Sequence, residues 1–258
     1  MRLMKRILSA AAVLALSASL LVGCSSGTAS SVPVSASSAT ESTVSSVEET
    51  ASSAVDENEA AAAQLLNDLT GSYQELWPVI LADEYKQTWL DDCTALVGEE
   101  NAEAAFEKLS SMVTSDVYGE DAVKAYANGG GAYFCGFTNS LAILTFDGET
   151  STISGTDKDG NVLFSHTYHY IGMEPVRGLY EFQSDDADSG EFTYFFLAPD
   201  TSAETYHIEF RYGSDAEALS QYDTGEYAYW LASGISTDCD QTMIDNCIEL
   251  FCTENLAG

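Results

Sequence analysis

Hydrophobic and polar residues alternate most regularly between residues 191 and 213, where the chain reads EFTYFFLAPDTSAETYHIEFRYG. Residues 191–197 and 205–212 have the aromatic and β-branched composition of strands, and Pro199, Asp200 and Ser202 favour a turn between them. Because side chains alternate across a strand, the apolar residues at 206, 208, 210 and 212 share one face. The pattern predicts a β-hairpin whose second strand has a polar face made of Thr205, His207, Glu209 and Arg211.

Further strands are predicted before this hairpin. Residues 132–137, 141–146, 150–156 and 162–171 are rich in strand-forming residues, with turn signals at 138–139, 147–148 and 159–160. Helical spacing of apolar residues predicts helices over 60–69, 78–98, 99–113, 116–127 and 238–255. The chain is therefore predicted to be mainly β with peripheral helices (α+β).

The first 56 residues differ from the rest in composition. Residues 1–23 have the features of a secretory signal, because three basic residues precede an apolar run from 7 to 22. Residues 21–24, LVGC, resemble a bacterial lipobox, in which the cysteine, here Cys24, carries the lipid. Residues 24–56 are almost all Ser, Ala, Thr, Val and Glu and predict a disordered tether. We expect one domain over 57–258, anchored through Cys24 to the cell membrane and facing away from the cytoplasm.

The charge of the chain excludes two classes of partner. Three of the nine Lys and Arg lie in the signal, so six remain against 41 Asp and Glu, a net charge of −35 for the mature chain. Nucleic acid and anionic lipid headgroups require positive surfaces, so neither is expected as a partner. Such a surface attracts divalent cations loosely, so weak cation binding would not by itself identify a site. Hydrolase, metalloprotease and nucleotide-binding motifs are missing from the sequence, and we predict that the protein is not an enzyme.

Six cysteines are present, and five remain once Cys24 is assigned to the lipid. An odd number outside the cytoplasm leaves at least one thiol unpaired, or all of them free if the organism lives without oxygen. Their spacings do not resemble a zinc knuckle, so we expect buried apolar residues or one or two disulfides, with the pairing open. The five are Cys93, Cys135, Cys239, Cys247 and Cys252.

The polar face of the second hairpin strand carries candidate metal ligands. His207 and Glu209 point the same way, about 6–7 Å apart, so one metal ion fits between them. A strand face in contact with water, on which Glu209 neutralises His207 or Arg211, explains the same alternation and is favoured by the spacing alone. His166 and His169 are three residues apart and face opposite ways, so they do not chelate together, but either could meet His207 from a neighbouring strand.

Three segments, in order, resemble one protein family. The first is LTGSYQELWP at residues 69–78, and the second is YHYIG followed by VRGLYEF within residues 168–182. The third is the hairpin, with FLAP, HIEF, Gly213 and the helix-favouring DAEAL. They resemble the ZinT family of periplasmic and cell-surface zinc-binding proteins, whose patterns are W-x-G-x-W-Q-S-V-Y-P, then Y-x-Y-x-G with G-V-R-Y-L-F-E, then D-H-I-x-A-P with H-F-H-I-F.

The resemblance implies a lipocalin-like (calycin) β-barrel, preceded by N-terminal helices and closed by a C-terminal helix. It implies a monomer that binds zinc through His207 and Glu209, with His166, His169 or water completing the shell, as a carrier or scavenger. The implied partner is the solute-binding protein of a zinc ABC importer.

The hairpin departs from the family pattern at two zinc histidines. Phe195 stands at the first of them, and Glu209 replaces the second histidine of H-x-H, although a carboxylate oxygen can substitute for an imidazole nitrogen on zinc. Another register makes His207 the second histidine and Thr205 the first. A metal-free barrel that holds a small apolar ligand, or a structural cell-surface module, is the alternative function.

Overall fold

Eight antiparallel strands close into a barrel, in which each strand pairs with the next along the chain and the last pairs with the first. The structure is a computed structural model that describes residues 45–200 and 202–256, and Asn58–Gly258 form one compact unit. The strands are β1 Gly71–Glu75, β2 Ile143–Asp147, β3 Thr152–Thr156, β4 Val162–Met173, β5 Tyr180–Ser184, β6 Tyr194–Leu197, β7 Ile208–Gly213 and β8 Ala232–Ser236. This up-and-down topology is that of lipocalins, so the predicted fold class is confirmed.

Helices flank the barrel at both ends of the described chain. They are α1 Ser45–Asp68, α2 Leu76–Ile80, α3 Lys86–Val97, α4 Glu99–Ser111, α5 Glu120–Ala127, α6 Ser202–Thr205, α7 Ala216–Leu219 and α8 Gln241–Leu256. The predicted single helix over 78–98 is wrong, because Ala82 is extended and separates α2 from a short 3-10 turn and α3.

The N-terminal predictions fall largely outside the described residues. Helix α1 begins at Ser45, within the segment predicted as a tether. The predicted signal, Cys24 and the tether up to residue 44 lie outside the described residues. Across residues 45–200 and 202–256, no helix combines the length and apolar character needed to cross a membrane.

Three strands of the barrel, β1, β5 and β8, were not predicted, and one predicted strand is not formed. Strands β1 and β8 are short and mixed in polarity, and their pairing with each other closes the barrel. Residues 132–137 have the composition of a strand, but Phe134 makes only an isolated bridge to Trp230. Phe134 donates to the Tyr229 carbonyl and accepts from the Leu231 nitrogen as part of this bridge, whereas Tyr133 donates to the Met112 carbonyl in a different segment. The composition of this segment favours an extended backbone. A β-strand also needs a neighbouring strand to which it can bond along its length.

Aromatic side chains fill the barrel interior. Phe195 packs edge-on against Tyr168, with ring centroids 5.4 Å apart, and stacks with Tyr212 at 5.3 Å. Such pairs add directional attraction to the gain from removing the rings from water. The interior rings, each at most 5% exposed, are Tyr73, Phe146, Phe164, Tyr168, Phe182, Phe195, Phe210 and Tyr212.

A second apolar cluster lies outside the barrel wall, where helices α2, α3, α4 and α8 pack together. Trp89 of α3 is fully buried, and its indole nitrogen donates to the Ile80 carbonyl at 2.7 Å. Ile235 of β8 joins this cluster, so α8 docks on the outer surface of the barrel. This packing determines what covers the polar face of β7.

The polar face of β7 is covered at His207 and Arg211, whereas Glu209 remains partly exposed, so the interpretation that the face meets water holds only at Glu209. Arg211 is 0% exposed and His207 is 7% exposed. Arg211 donates hydrogen bonds to the backbone carbonyls of Leu219, Gln221 and Tyr227, which lie in the segment that follows β7. Burial lowers the pKa of Arg211 to about 10, so the guanidinium remains charged at neutral pH.

Candidate metal site

His207 lies directly before β7, on the outer surface of the barrel and beneath α8. The preceding residue, Tyr206, has a left-handed backbone with φ of 65°, which turns the chain from α6 into the strand. The imidazole packs against the ring of Phe251 in α8, with centroids 5.1 Å apart. A histidine this well packed loses little conformational freedom when it binds a ligand.

The hydrogen bond of His207 determines which ring nitrogen is available. Its Nδ1 lies 2.7 Å from the backbone carbonyl oxygen of Thr205. Because a carbonyl oxygen only accepts, Nδ1 carries the proton, and in the neutral ring Nε2 presents a lone pair. A backbone carbonyl on one ring nitrogen is the arrangement that commonly orients a metal-binding histidine.

Glu209 faces this lone pair. Its Oε1 lies 3.9 Å from Nε2 of His207, and the carboxylate side chain is 31% exposed against 9% for the imidazole. Two ligands on tetrahedral zinc, each about 2.1 Å from the ion, are roughly 3.4 Å apart. The observed separation therefore needs to close by only about half an ångström to hold an ion. His207 lies one residue before β7 and Glu209 lies within it, so the start of the strand brings the two side chains together.

A third group, Glu254 of α8, was not identified from the sequence. Partial burial raises the pKa of Glu254, while His207 lowers it and Glu209 and Asp200 raise it further. These influences show that one imidazole and three carboxylates share the same region. A signal was present, because residues 247, 251 and 254 follow a helical spacing and Glu254 continues the apolar stripe made by Cys247 and Phe251.

Cys247 lies behind the imidazole and not at the candidate site. Its Sγ is 4.0 Å from Nδ1 of His207, on the side away from Glu209. Complete burial raises the pKa of this thiol to about 12, so it remains protonated at neutral pH. Because its sulfur lies on the far side of the ring from Glu209, Cys247 packs against the imidazole and does not face the candidate site.

The structure does not bring His166 or His169 to His207. His166 of β4 faces the barrel interior with its pairing partner Ile153, whereas His207 lies outside the wall. His169 faces outward, but β5 and β6 separate β4 from β7, a distance of about 14 Å at ordinary strand spacing. Each instead pairs through Nδ1 with an aspartate at 2.6 Å, His166 with Asp186 and His169 with Asp185.

The described part of the chain contains no group of three His, Cys, Asp or Glu side chains already positioned to hold a metal ion. His207 and Glu209 are thus a two-ligand arrangement with the right chemistry, and Glu254 is near enough to influence both electrostatically. Glu254 is exposed and Glu209 is partly exposed, so both carboxylates have the freedom to turn towards an ion.

An apolar ligand would have to bind elsewhere than among the packed interior rings. A cavity of about 390 Å³ lies between α2 and the segments at 113–115 and 134–136. Trp77, Pro78 and Phe134 line it together with the carboxylate of Glu75. That carboxylate already accepts a hydrogen bond from the backbone nitrogen of Phe137 at 2.6 Å.

Comparison with known proteins finds similarity among solved structures alone. No known family profile matches the chain, and no curated protein sequence is similar to it. The Zn(II)-bound ZinT-like domain of Streptococcus pneumoniae AdcA shares 15% identity over 72% of this chain and 89% of that one, with a TM-score of 0.45. Zn(II)-bound AdcA from the same organism shares 14% identity over 75% of this chain and 35% of its own length, with a TM-score of 0.41. These likenesses do not assign a function to this chain.

Proposed function

We propose that this protein binds a divalent metal ion, zinc by preference, at His207 and Glu209, with Glu254 as a further carboxylate ligand. One observation carries the proposal. The Nε2 lone pair of neutral His207 and Oε1 of Glu209 both act as acceptors and face each other across 3.9 Å. Two acceptors in this position attract a donor or a cation between them, and a metal ion, a proton or a bridging water can each satisfy both. Mixed nitrogen and carboxylate ligands suit zinc.

The finer parts of the proposal rest on the sequence resemblance. We propose that the protein is exported, anchored by lipid at Cys24, and passes zinc to the solute-binding protein of an ABC importer. We propose that the protein carries the metal and does not use it for catalysis. A carrier needs ligands that can release the ion to a partner. Two partly exposed carboxylates around one buried imidazole meet that requirement.

Calorimetric titration with zinc tests the proposal. At about 0.15 M salt, where surface attraction is screened beyond roughly 8 Å, the wild-type chain is expected to bind one ion. His207→Ala is expected to weaken binding by about 100-fold and Glu209→Ala by about 10-fold, because each removes a direct ligand. Affinity should also fall in acid, because a proton competes with the metal ion for Nε2 of His207.

His169→Ala is the matched control for this titration. His169 is also a histidine paired with a carboxylate on the outer surface of the barrel, but it lies away from Glu209. Zinc affinity should be unchanged in this variant. Equal binding by wild type, His207→Ala and Glu209→Ala, or binding without a defined stoichiometry, would mean that the acidic surface attracts the ion and that only a proton lies between the two side chains.

Glu254→Gln separates metal binding from stability. The pKa of Glu254 is higher in the folded protein than in the unfolded chain. Protonated Glu254 therefore favours the folded state at low pH, and this stabilisation is lost as the pH rises through the folded-state pKa. At neutral pH its charge therefore costs stability in the metal-free protein. Glu254→Gln should melt at the same temperature as wild type or about 1–2 °C higher without metal, yet gain less stability from added zinc.

The control for this measurement is Glu249→Gln, which neutralises an exposed carboxylate on the same helix. It should leave the zinc-induced change in melting temperature unaltered. If metal-free Glu254→Gln melts well below wild type, the charge of Glu254 does not destabilise the metal-free protein. An unchanged response to zinc would exclude Glu254 as a ligand while leaving His207 and Glu209 in place.

A further inference from the structure

Two cysteines from distant parts of the chain lie in contact beneath the helical layer. Sγ of Cys93 in α3 is 3.8 Å from Sγ of Cys252 in α8, and the residues are 159 positions apart in sequence. Both side chains are 0% exposed. They belong to the apolar cluster formed by α2, α3, α4 and α8, and not to the candidate metal site.

We propose that Cys93 and Cys252 form a disulfide bond that joins α3 to α8. A disulfide requires the sulfur atoms to approach to about 2.05 Å, so the observed 3.8 Å must close by roughly 1.8 Å. Rotation about χ1 moves each Sγ around its Cα–Cβ bond. Rotation of both side chains together shortens the distance between the two sulfur atoms.

The bond requires an oxidant, and the predicted export supplies the compartment for it. A thiolate of one cysteine attacks a disulfide-bearing donor, either an oxidised dithiol protein or a small-molecule disulfide, and releases one donor thiol as a mixed disulfide forms. The second cysteine then attacks this mixed disulfide and releases the other donor thiol. The cysteines lose two electrons and two protons, which the donor takes up.

Burial determines when the reaction takes place. Both sulfurs are fully buried, so a disulfide donor cannot reach either of them once the domain has folded. The attacking form and the donor can meet only while the helices are still separating or docking. The bond therefore forms during folding, and the folded protein then shields it from reducing agents.

Cleavage after glutamate provides a direct test, because it releases each cysteine on its own peptide. Residues 85–99 contain Cys93, residues 250–254 contain Cys252, and Cys239 with Cys247 remain together in residues 227–249. The full chain, exported from a host cell, is denatured in N-ethylmaleimide to block free thiols and is then digested without reductant. Mass spectrometry should show peptide 85–99 joined to peptide 250–254, with N-ethylmaleimide on Cys135, Cys239 and Cys247.

Melting temperatures give the second measurement. Closing so long a loop restricts the unfolded chain, so reduction under denaturing conditions followed by refolding should lower the melting temperature of wild type by about 10 °C. The Cys93→Ala/Cys252→Ala variant should melt at one temperature with or without reductant, whereas Cys239→Ala should respond as wild type does. Dithiothreitol without denaturant should cleave the bond at least 10-fold more slowly than with it.

Two results would overturn the proposal. One is N-ethylmaleimide on both Cys93 and Cys252 in the exported protein, which would show a pair of free thiols in van der Waals contact. The other is a cross-link from either residue to Cys135, Cys239 or Cys247. Neither outcome depends on whether the protein binds metal, and both are read from wild type, so a variant that fails to fold does not obscure them.

Discussion

Replacing Arg211 by Met is expected to destabilise the protein by about 3–5 kcal/mol, which corresponds to a fall in melting temperature of roughly 10 °C. The guanidinium is fully buried and donates to the carbonyls of Leu219, Gln221 and Tyr227. Methionine fills similar space but donates nothing, so those carbonyls lose their charged partner away from water. Thermal unfolding followed by far-UV circular dichroism measures the effect.

Two further variants identify the cause of this loss. Arg177→Met removes another guanidinium, which lies 4.2 Å from the ring centroid of Tyr222, whereas that of Arg211 lies 4.4 Å from it. Arg177 is only half-buried, so its replacement should cost about 1 kcal/mol or less. Arg211→Lys keeps the charge but lacks the fork that reaches several carbonyls, and should lie between the two. Equal stability of Arg211→Met and wild type would refute the structural role.

Replacing Gly148 by Ala is expected to cost about 3 kcal/mol, or roughly 6–12 °C in melting temperature. Gly148 lies in the turn between β2 and β3, against the last turn of α1. A Cβ at this position would meet Cα of Asn67 at 2.4 Å and the Leu66 carbonyl oxygen at 2.6 Å. Both are backbone atoms, so no side-chain rotation relieves the overlap and α1 must move away from the barrel.

Gly172→Ala is the matched control, since it adds the same methyl group to another barrel residue. Nothing lies within 4 Å of the Cβ position of Gly172, so this variant should unfold within about 1 °C of wild type. A similar loss in both variants would show that the cost comes from backbone freedom and not from contact with α1. Thermal unfolding at one pH and protein concentration makes the comparison.

The proposed site has a single imidazole and no histidine cluster. Packing against Phe251 and a hydrogen bond to Thr205 hold the ring, and the carboxylates of Glu209 and Glu254 supply negative charge. In a chain with net charge −32, many acidic residues can attract a cation weakly. What distinguishes this site is the one oriented nitrogen, and for this reason the proposed titration depends on His207.

The sequence by itself determined the local features of the fold. Alternation over 205–212 predicted that His207 and Glu209 point the same way, and they do, although the strand begins only at Ile208. Turn residues marked the connections between β2, β3 and β4 for the same local reason. Helical spacing likewise identified α4, α5 and α8 to within about four residues of their ends, although it merged α2 and α3 into one helix.

Only the tertiary structure decided what packs on those faces. The polar face of β7 has the pattern of a solvated strand, yet the segment after β7 covers Arg211 and α8 covers His207. Closure through β1 and β8, the approach of Glu254, and the contact of Cys93 with Cys252 likewise join residues far apart in sequence. Local periodicity fixes the direction in which a side chain points, whereas its burial depends on which distant segment offers a complementary surface.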